Sequence, residues 1–446
     1  MRAFNADSLG VAIEDMAQSG RKNERKVQKK KKGEMQMADK GMGYLKQKLS
    51  SKNSRIGLRY RYYDMKHSIE DYSRLIPEEM RWLTSSLGWC ATAVDSLADR
   101  LVFREFRVDD FDMNEIYALN NKDVLFDSAV LSALISSCCF IYISTGDGGY
   151  PQMQVIDGGN ATGVLNPITN LLTEGYAVLE RDRNGNPILE AYFTSKSTYY
   201  YEKGKLVMEK SNPTGHPLLV PIIYRPDAKR PFGHSRISRA CMKHQQSALR
   251  TIRRAEISAE FYSFPQKYIL GLASDTRFDN RRATMSTFLS FGKDRDGDSP
   301  KVGQFTQQSM APYVEQLKMF ASLFAGETGL TLDDLGFAMD NPSSAEAIKA
   351  SHEKLRLTAR KAQRTFGTGF LNAGFLAAGL RDGRAYERNM MYETKPIWEP
   401  VFEPDAAMLS GIGDAVIKIN QAVPGYFGAE NLRDLTGIDR DGEGGA

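Results

Sequence analysis

Four cysteines and five histidines are all that this chain of 446 residues offers to thiol or metal chemistry. Cys90, Cys138, Cys139 and Cys241 show no CxxC spacing and no companion histidines, which excludes a zinc ribbon and points to buried free thiols in a reducing compartment. His67, His216, His234, His244 and His352 are too scattered to read as a ligand set. HExxH, GxSxG and GxxxxGK[ST] are all missing, so the phosphate-cradling loop of a motor ATPase is not present. The N-terminus is charged and has no apolar stretch of the signal-peptide kind. The longest run without charge, Ser128 to Gly146, is broken by Ser132, Ser136, Ser137, Ser144 and Thr145. It reads as a buried helix leading into a strand, Phe140–Ser144, rather than a membrane span.

What remains is a chain with 41% hydrophobic and 26% charged residues, long enough to bury a large core and to divide into several domains. The net charge of +4 misleads, because residues 1–41 hold 10 Lys+Arg and 6 Asp+Glu, which leaves 49 of each sign (59 − 10 and 55 − 6) in the remainder. The body is therefore neutral and lacks the global basic excess of a tight nucleic-acid binder. Residues 1–54, with Lys29-Lys-Lys-Lys32, read as a disordered basic leader, either a solvated tail or an arm that binds DNA or a scaffold. Lys32-Gly-Glu-Met35 implies purine-rich codons resembling a ribosome-binding site, with Met37 spaced as an alternative start.

Residues 55–230 have the pattern of a mixed α+β domain. Pro77 is expected to open an amphipathic helix through Leu101, and more helix covers Asn114 to Ser137. Strands follow at Met153–Ile156, Tyr176–Arg181, Leu189–Thr194, Thr198–Glu202, Lys205–Glu209 and Leu218–Tyr224, with turns at Asn184-Gly185 and Lys203-Gly204. His234 to Tyr262 predicts a helix about 43 Å long. At 100° per residue Arg236, Arg239, Lys243, Arg250, Arg253 and Arg254 share one face, and no acid occurs before Ala255 to pair with them. The stripe is either a solvated face or a surface turned towards a channel or an acidic neighbour.

Strands at Gln266–Leu270, Thr287–Phe291 and Lys301–Phe305 make 264–310 a small insertion, and a helix Ala311–Ala325 returns from it. Asp294-Arg-Asp-Gly-Asp298 has its glycine in the fourth place and Phe305 in the twelfth, so it is a turn and not a calcium loop. Leu332-Asp-Asp-Leu-Gly336 and Asp340-Asn-Pro342 break the chain, and Ser343 with Glu346 forms a capping box for a helix from Ser344 to about Leu380. Gly367, Gly369, Gly374 and Gly379 mark where that helix bends most cheaply. Asp333-Asp334 read as solvating or capping groups rather than an acid–base pair. Beyond it Met391–Trp398 resumes β-character, Pro404-Asp405 caps a helix through Gln421, and Ala429–Thr436 forms a last one before a glycine-rich tail.

Several weak motifs in a fixed order carry a resemblance. Arg61-Tyr-Tyr-Asp64, Asp95-Ser-Leu-Ala-Asp-Arg-Leu101, Pro231-Phe-Gly-His-Ser-Arg-Ile-Ser238, Phe264-Pro-Gln-Lys-Tyr-Ile-Leu-Gly271 and Asn341-Pro-Ser-Ser-Ala-Glu-Ala-Ile348 resemble the portal proteins of tailed double-stranded DNA phages, over about Arg55 to Gly437. The resemblance implies an α+β portal-type fold: 55–230 the wing, 231–262 a stem helix, 263–310 the clip, 311–330 the second stem helix. It further implies a tunnel loop at 331–343, a long bent helix with returning wing strands at 344–400, and a short helical crown and tail at 401–446. A dodecameric ring at one capsid vertex is implied, assembled in the host cytoplasm, with DNA packaged and ejected through its channel. The partners would be the terminase large subunit, a head–tail connector, and the major capsid and scaffold proteins, with no membrane, cofactor, metal or catalytic residue. The candidate tunnel-loop residues are Asp333, Asp334, Asp340, Asn341 and Ser343. The candidate docking residues of the clip are Arg277, Asp279, Asn280, Arg281 and Arg282. The rival readings are a nucleic-acid-processing enzyme with an unseen site and a capsid shell or scaffold protein.

Overall fold

The computed structural model describes residues 40–70, 76, 78–146, 149–263, 267–270, 301–304, 309–337, 350–402, 404 and 406–438. Helix α1 (Gly41–Tyr63) leads into α2 (Trp89–Ala98), strand β1 (Phe103–Arg107), α3 (Met113–Leu119) and α4 (Lys122–Ser136). Strands β2 (Cys138–Thr145), β3 (Pro151–Ile156), β4 (Ala161–Leu165), β5 (Leu172–Arg181), β6 (Pro187–Phe193), β7 (Ser197–Glu202), β8 (Lys205–Ser211) and β9 (Leu219–Ile223) follow. Then come α5 (Arg239–Ser263), β10 (Lys267–Leu270), β11 (Lys301–Gln304), α6 (Ala311–Thr328), α7 (Glu353–Arg381), β12 (Lys395–Trp398), α8 (Ala406–Ala422) and α9 (Ala429–Thr436). The sheets are antiparallel: β3-β2-β9, the meander β4-β5-β6-β7-β8, and the pairs β1-β12 and β10-β11. In the β7–β8 turn Lys203 and Gly204 both take positive φ, as a two-residue hairpin of this hand requires.

The uncharged run becomes the centre of the body. Residues Cys138 to Ile143 are all buried, with β3 on one edge of β2 and β9 on the other, and α4 and α7 both packed on this sheet. A strand covered on both faces reads as a continuous apolar run, which is why it resembled a span in sequence. No described helix is long and apolar enough to cross a membrane. All four cysteines are buried free thiols, and burial pushes Cys90 and Cys139 well above the usual thiol range.

The structure corrects two expectations. Residues 41–54 are not leader but the first half of α1, which buries Leu45, Leu49, Ile56 and Tyr62. Each such side chain contributes about 1.5–3 kcal/mol on burial. Its first N–H groups are satisfied by Glu174, whose carboxylate accepts from Lys40 N at 2.6 Å and Gly41 N at 3.0 Å. That cap lies far off in sequence, so no local signal announces the helix start. The helix expected from Pro77 to Leu101 is confined to Trp89–Ala98, with Trp82 left 75% exposed. Ser85, Ser86 and Gly88 weaken helix before it, and buried Gln245 accepts from Cys90 N at 2.7 Å, fixing the start of α2 from α5. The glycines of α7 are contact points. A Cβ at Gly367 would lie 2.7 Å from Pro396 Cγ, and one at Gly369 2.7 Å from Ile222 Cδ1. The capping box of Ser343 and Glu346, the strand Thr287–Phe291, the Asp294–Asp298 turn and Lys29–Lys32 lie outside the described residues.

Candidate functional site

The stretch Pro231 to Ser238 ties the start of α5 to the body. Gly233 has φ +74, and a Cβ there would sit 2.0 Å from the Tyr224 carbonyl oxygen, so only glycine can make this turn. His234 N donates to Tyr224 O at 2.9 Å, Ser235 Oγ to Ile135 O at 2.6 Å, and Arg236 N to Leu134 O at 2.8 Å. His234 Nε2 lies 2.6 Å from Asp227 Oδ2; this hydrogen bond, followed by the Arg230 N–H, holds Asp227 below the usual carboxylate range.

The basic stripe is dispersed. Arg236 is buried, its Nε donating to Ala93 O at 3.1 Å and its Nη2 to Thr328 O at 2.6 Å, so it joins α2, α5 and α6 instead of facing a channel. Lys243 pairs with Glu70 at 2.8 Å, Arg250 donates to Glu70 O at 3.1 Å, and Arg253 donates to Arg81 O at 2.8 Å. These three clamp flanking segments of the stretch between α1 and α2, whose carbonyls a helical projection cannot foresee. Arg239 and Arg254 are exposed. About a quarter-turn round from the stripe α5 packs against α6, where Thr251 Oγ1 lies 3.0 Å from Gln316 Oε1 and Ser258 Oγ 2.8 Å from Tyr313 Oη. α6 leaves Met319 and Leu323 exposed one turn apart on one face, without an apolar partner in their own chain among the described residues, and Val314 exposed on the other side.

Gly329 in the left-handed region ends α6, and a 3-10 turn Asp333–Leu335 follows. Asp334 Oδ2 accepts from Thr331 N at 2.8 Å and Thr331 Oγ1 accepts from Asp334 N at 3.2 Å, a reciprocal cap. His352 Nδ1 is 3.8 Å from the same carboxylate oxygen. Leu330 and Leu335 are buried and Phe337 packs against Trp89, so the entrance of the loop is anchored in the core. Asp333 is exposed while Asp334 is held in the cap, and the two are thus not arranged as an acid–base pair. Asp340, Asn341 and Ser343, with Arg277, Asp279, Asn280, Arg281 and Arg282, lie outside the described residues.

Sequence reasoning missed a second basic array. Lys48, Lys52, Arg55 and Arg59 recur at spacings of four, three and four along α1, and Arg230 and Arg239 approach from the α5 side. The spacing is legible in sequence, but a boundary at residue 54 splits its host helix between leader and wing. Among the described residues no group of three His, Cys, Asp or Glu side chains is placed to hold a metal ion.

A five-stranded meander and a buried three-stranded sheet, with two paired helices and the strand pair β10-β11 lying between them in sequence, define a portal-type α+β fold. The chain belongs to the phage portal protein family of the SPP1 Gp6-like type, whose family model matches residues 43–389. It is similar to the portal protein of Mycobacterium phage L5, 25% identical over 401 residues, covering 83% of this chain and 80% of that protein. The portal protein of Mycobacterium phage D29 is 26% identical over 403 residues, with the same coverage. Among solved structures, the neck of a native gene transfer agent particle computed with C12 symmetry aligns at a TM-score of 0.43 and 13% identity, covering 79% of this chain and 90% of that one.

Proposed function

We propose that copies of this chain close into a ring, dodecameric as the resemblance implies, at one vertex of the capsid, and that double-stranded DNA enters and leaves through its channel. The family match over residues 43–389 carries this reading. The exposed apolar side chains Met319 and Leu323 on one face of α6, and Val314 on the other, support it, because apolar groups left bare on a stem helix call for a neighbouring subunit. In this reading the segment 263–310 docks the terminase large subunit and later the head–tail connector, and the body meets the major capsid and scaffold proteins. The stretch 331–343 is the tunnel loop, with Asp340, Asn341 and Ser343 nearest the DNA, and residues from 401 form the crown. Such a subunit acts by positioning and needs no catalytic residue or cofactor. Negative-stain microscopy of the purified full-length protein tests the proposal: isolated rings with a central hole are expected. Closed shells, or turnover of DNA or nucleotides by the protein, would overturn it.

A further inference from the structure

One flank of α1, beside its buried face, concentrates positive charge: Lys48, Lys52 and Arg59 are half-buried and Arg55 is exposed. Lys48 and Lys52 both lie 4.6 Å from the centre of the Phe232 ring, and their ammonium groups are tethered to Gly163 O at 2.6 Å and Thr162 Oγ1 at 3.4 Å. Arg55 and Arg59 continue the line, and Arg230 and Arg239 sit within electrostatic reach of Arg59. Burial and neighbouring cations lower the pKa of Lys48 to about 8, with Lys52 and then Lys40 the largest charged causes. Arg59 is lowered by burial and then by Arg55, Arg230 and Arg239. Among the described residues no carboxylate pairs with Lys48, Lys52, Arg55, Arg59 or Arg239. Of the acids beside α1, Glu174 and Glu190 are taken up by its N-terminal N–H groups and by Lys46, and Asp157 accepts from Tyr60 Oη at 2.7 Å. The array is therefore electrostatically unsatisfied in the isolated chain.

Two features select the ligand. From Lys48 to Arg59 the helix rises about 16 Å, the length of about five phosphates along one strand of duplex DNA. A protein partner, by contrast, asks for an apolar centre within its contact surface. Between residues 45 and 60 no large apolar side chain is exposed, while Arg55, Arg230 and Arg239 are exposed members of the array. We propose that the α1 stripe Lys48, Lys52, Arg55 and Arg59, with Arg230 and Arg239, is a docking site for the phosphodiester backbone of duplex DNA, reading charge and not sequence. It rests on the portal reading only for the presence of DNA beside the subunit. Five of its six cations stand on the body, and Arg239, the first residue of α5, is the one it takes from the stem helices.

The test is binding of the full-length protein to a fluorescent random-sequence duplex of about 30 base pairs, followed by anisotropy between about 50 and 200 mM salt. Arg55→Ala with Arg59→Ala should reduce the slope of log affinity against log salt by about 1.8, near 0.9 per cation removed. Arg55→Lys with Arg59→Lys should keep the wild-type slope, and Lys203→Ala with Lys205→Ala, on the distant β7–β8 turn, should leave it unchanged. Micrographs of the same samples should show wild-type assembly throughout. An unchanged slope in the alanine variant, or an equal loss in the turn variant, overturns the proposal. So does loss of rings with the slope intact, which would make α1 a contact between subunits. Wild-type protein that binds DNA with the full slope yet forms no rings would defeat the portal reading and leave this site standing.

Discussion

At position 233 the backbone passes so close to the Tyr224 carbonyl that a methyl group would overlap it, at a φ that only glycine adopts freely. Gly233→Ala is expected to cost about 3 kcal/mol or more, seen as a lower midpoint in urea unfolding. Arg236 three residues on is a buried cation held by backbone carbonyls. Arg236→Met removes two charge-assisted hydrogen bonds and leaves Ala93 O and Thr328 O short of a donor, an expected loss of about 2–4 kcal/mol by the same measurement. Lys48 gives a prediction in pH. Its folded pKa of about 8 lies below the ordinary 10.5, so between these values the unfolded chain binds the proton more strongly and stability from this group rises with pH. The stability of wild type minus that of Lys48→Met should therefore grow from about pH 7.5 to pH 10, and a flat difference would show that the lysine is not strained. The motif containing Gly233 and Arg236 was visible in sequence; the carbonyls they answer to were not, because those lie on α2, β9 and α6.

At the scale of elements, the paired helices α5 and α6 are joined by polar contacts, Thr251 to Gln316 and Ser258 to Tyr313, beside half-buried apolar positions such as Ile252. Ile252→Asp sets an unpaired charge there, costing several kcal/mol, on the order of 3, and rings counted in micrographs should become rarer or fall apart on dilution. Asp334→Ala removes the cap on Thr331 N and should loosen the loop entrance by about 1 kcal/mol. Ring assembly should survive while DNA packaging in a complementation assay declines; normal packaging would argue against a working role for this loop. Helical and strand periods announced α6, most of the meander and the C-terminal ends of α4 and α7 within a few residues. They failed at α1 and before α2, where the decisive caps, Glu174 and Gln245, come from other parts of the chain.

For the whole molecule, the antiparallel pairing of Lys267 to Leu270 with Lys301 to Gln304 brings together the residues that flank the segment 271–300. Replacing residues 272–299 by an Asn-Gly turn should leave α5, α6 and the ring intact while abolishing capture of the terminase large subunit in a pull-down. Binding at the wild-type level would place the docking surface elsewhere. The C-terminal part is also tied to the body, since Arg107 pairs with Asp434 and Arg433 with Glu105, joining α9 to β1.

Sequence by itself determined the α+β class, the order of helix pair and insertion, and the portal resemblance, because hydrophobic period, turn residues and motif order are local properties of a chain. It also determined the neutral body, since charge is a sum that does not depend on shape. Tertiary structure alone decided which cations are available. Arg236 is consumed by carbonyls of distant segments, and Lys243 meets Glu70. Lys48, Lys52, Arg55 and Arg59 are gathered with Arg230 and Arg239 into one unsatisfied field. Electrostatic and hydrogen-bond energies fall off within a few ångströms in space, and distance along the chain does not report that separation.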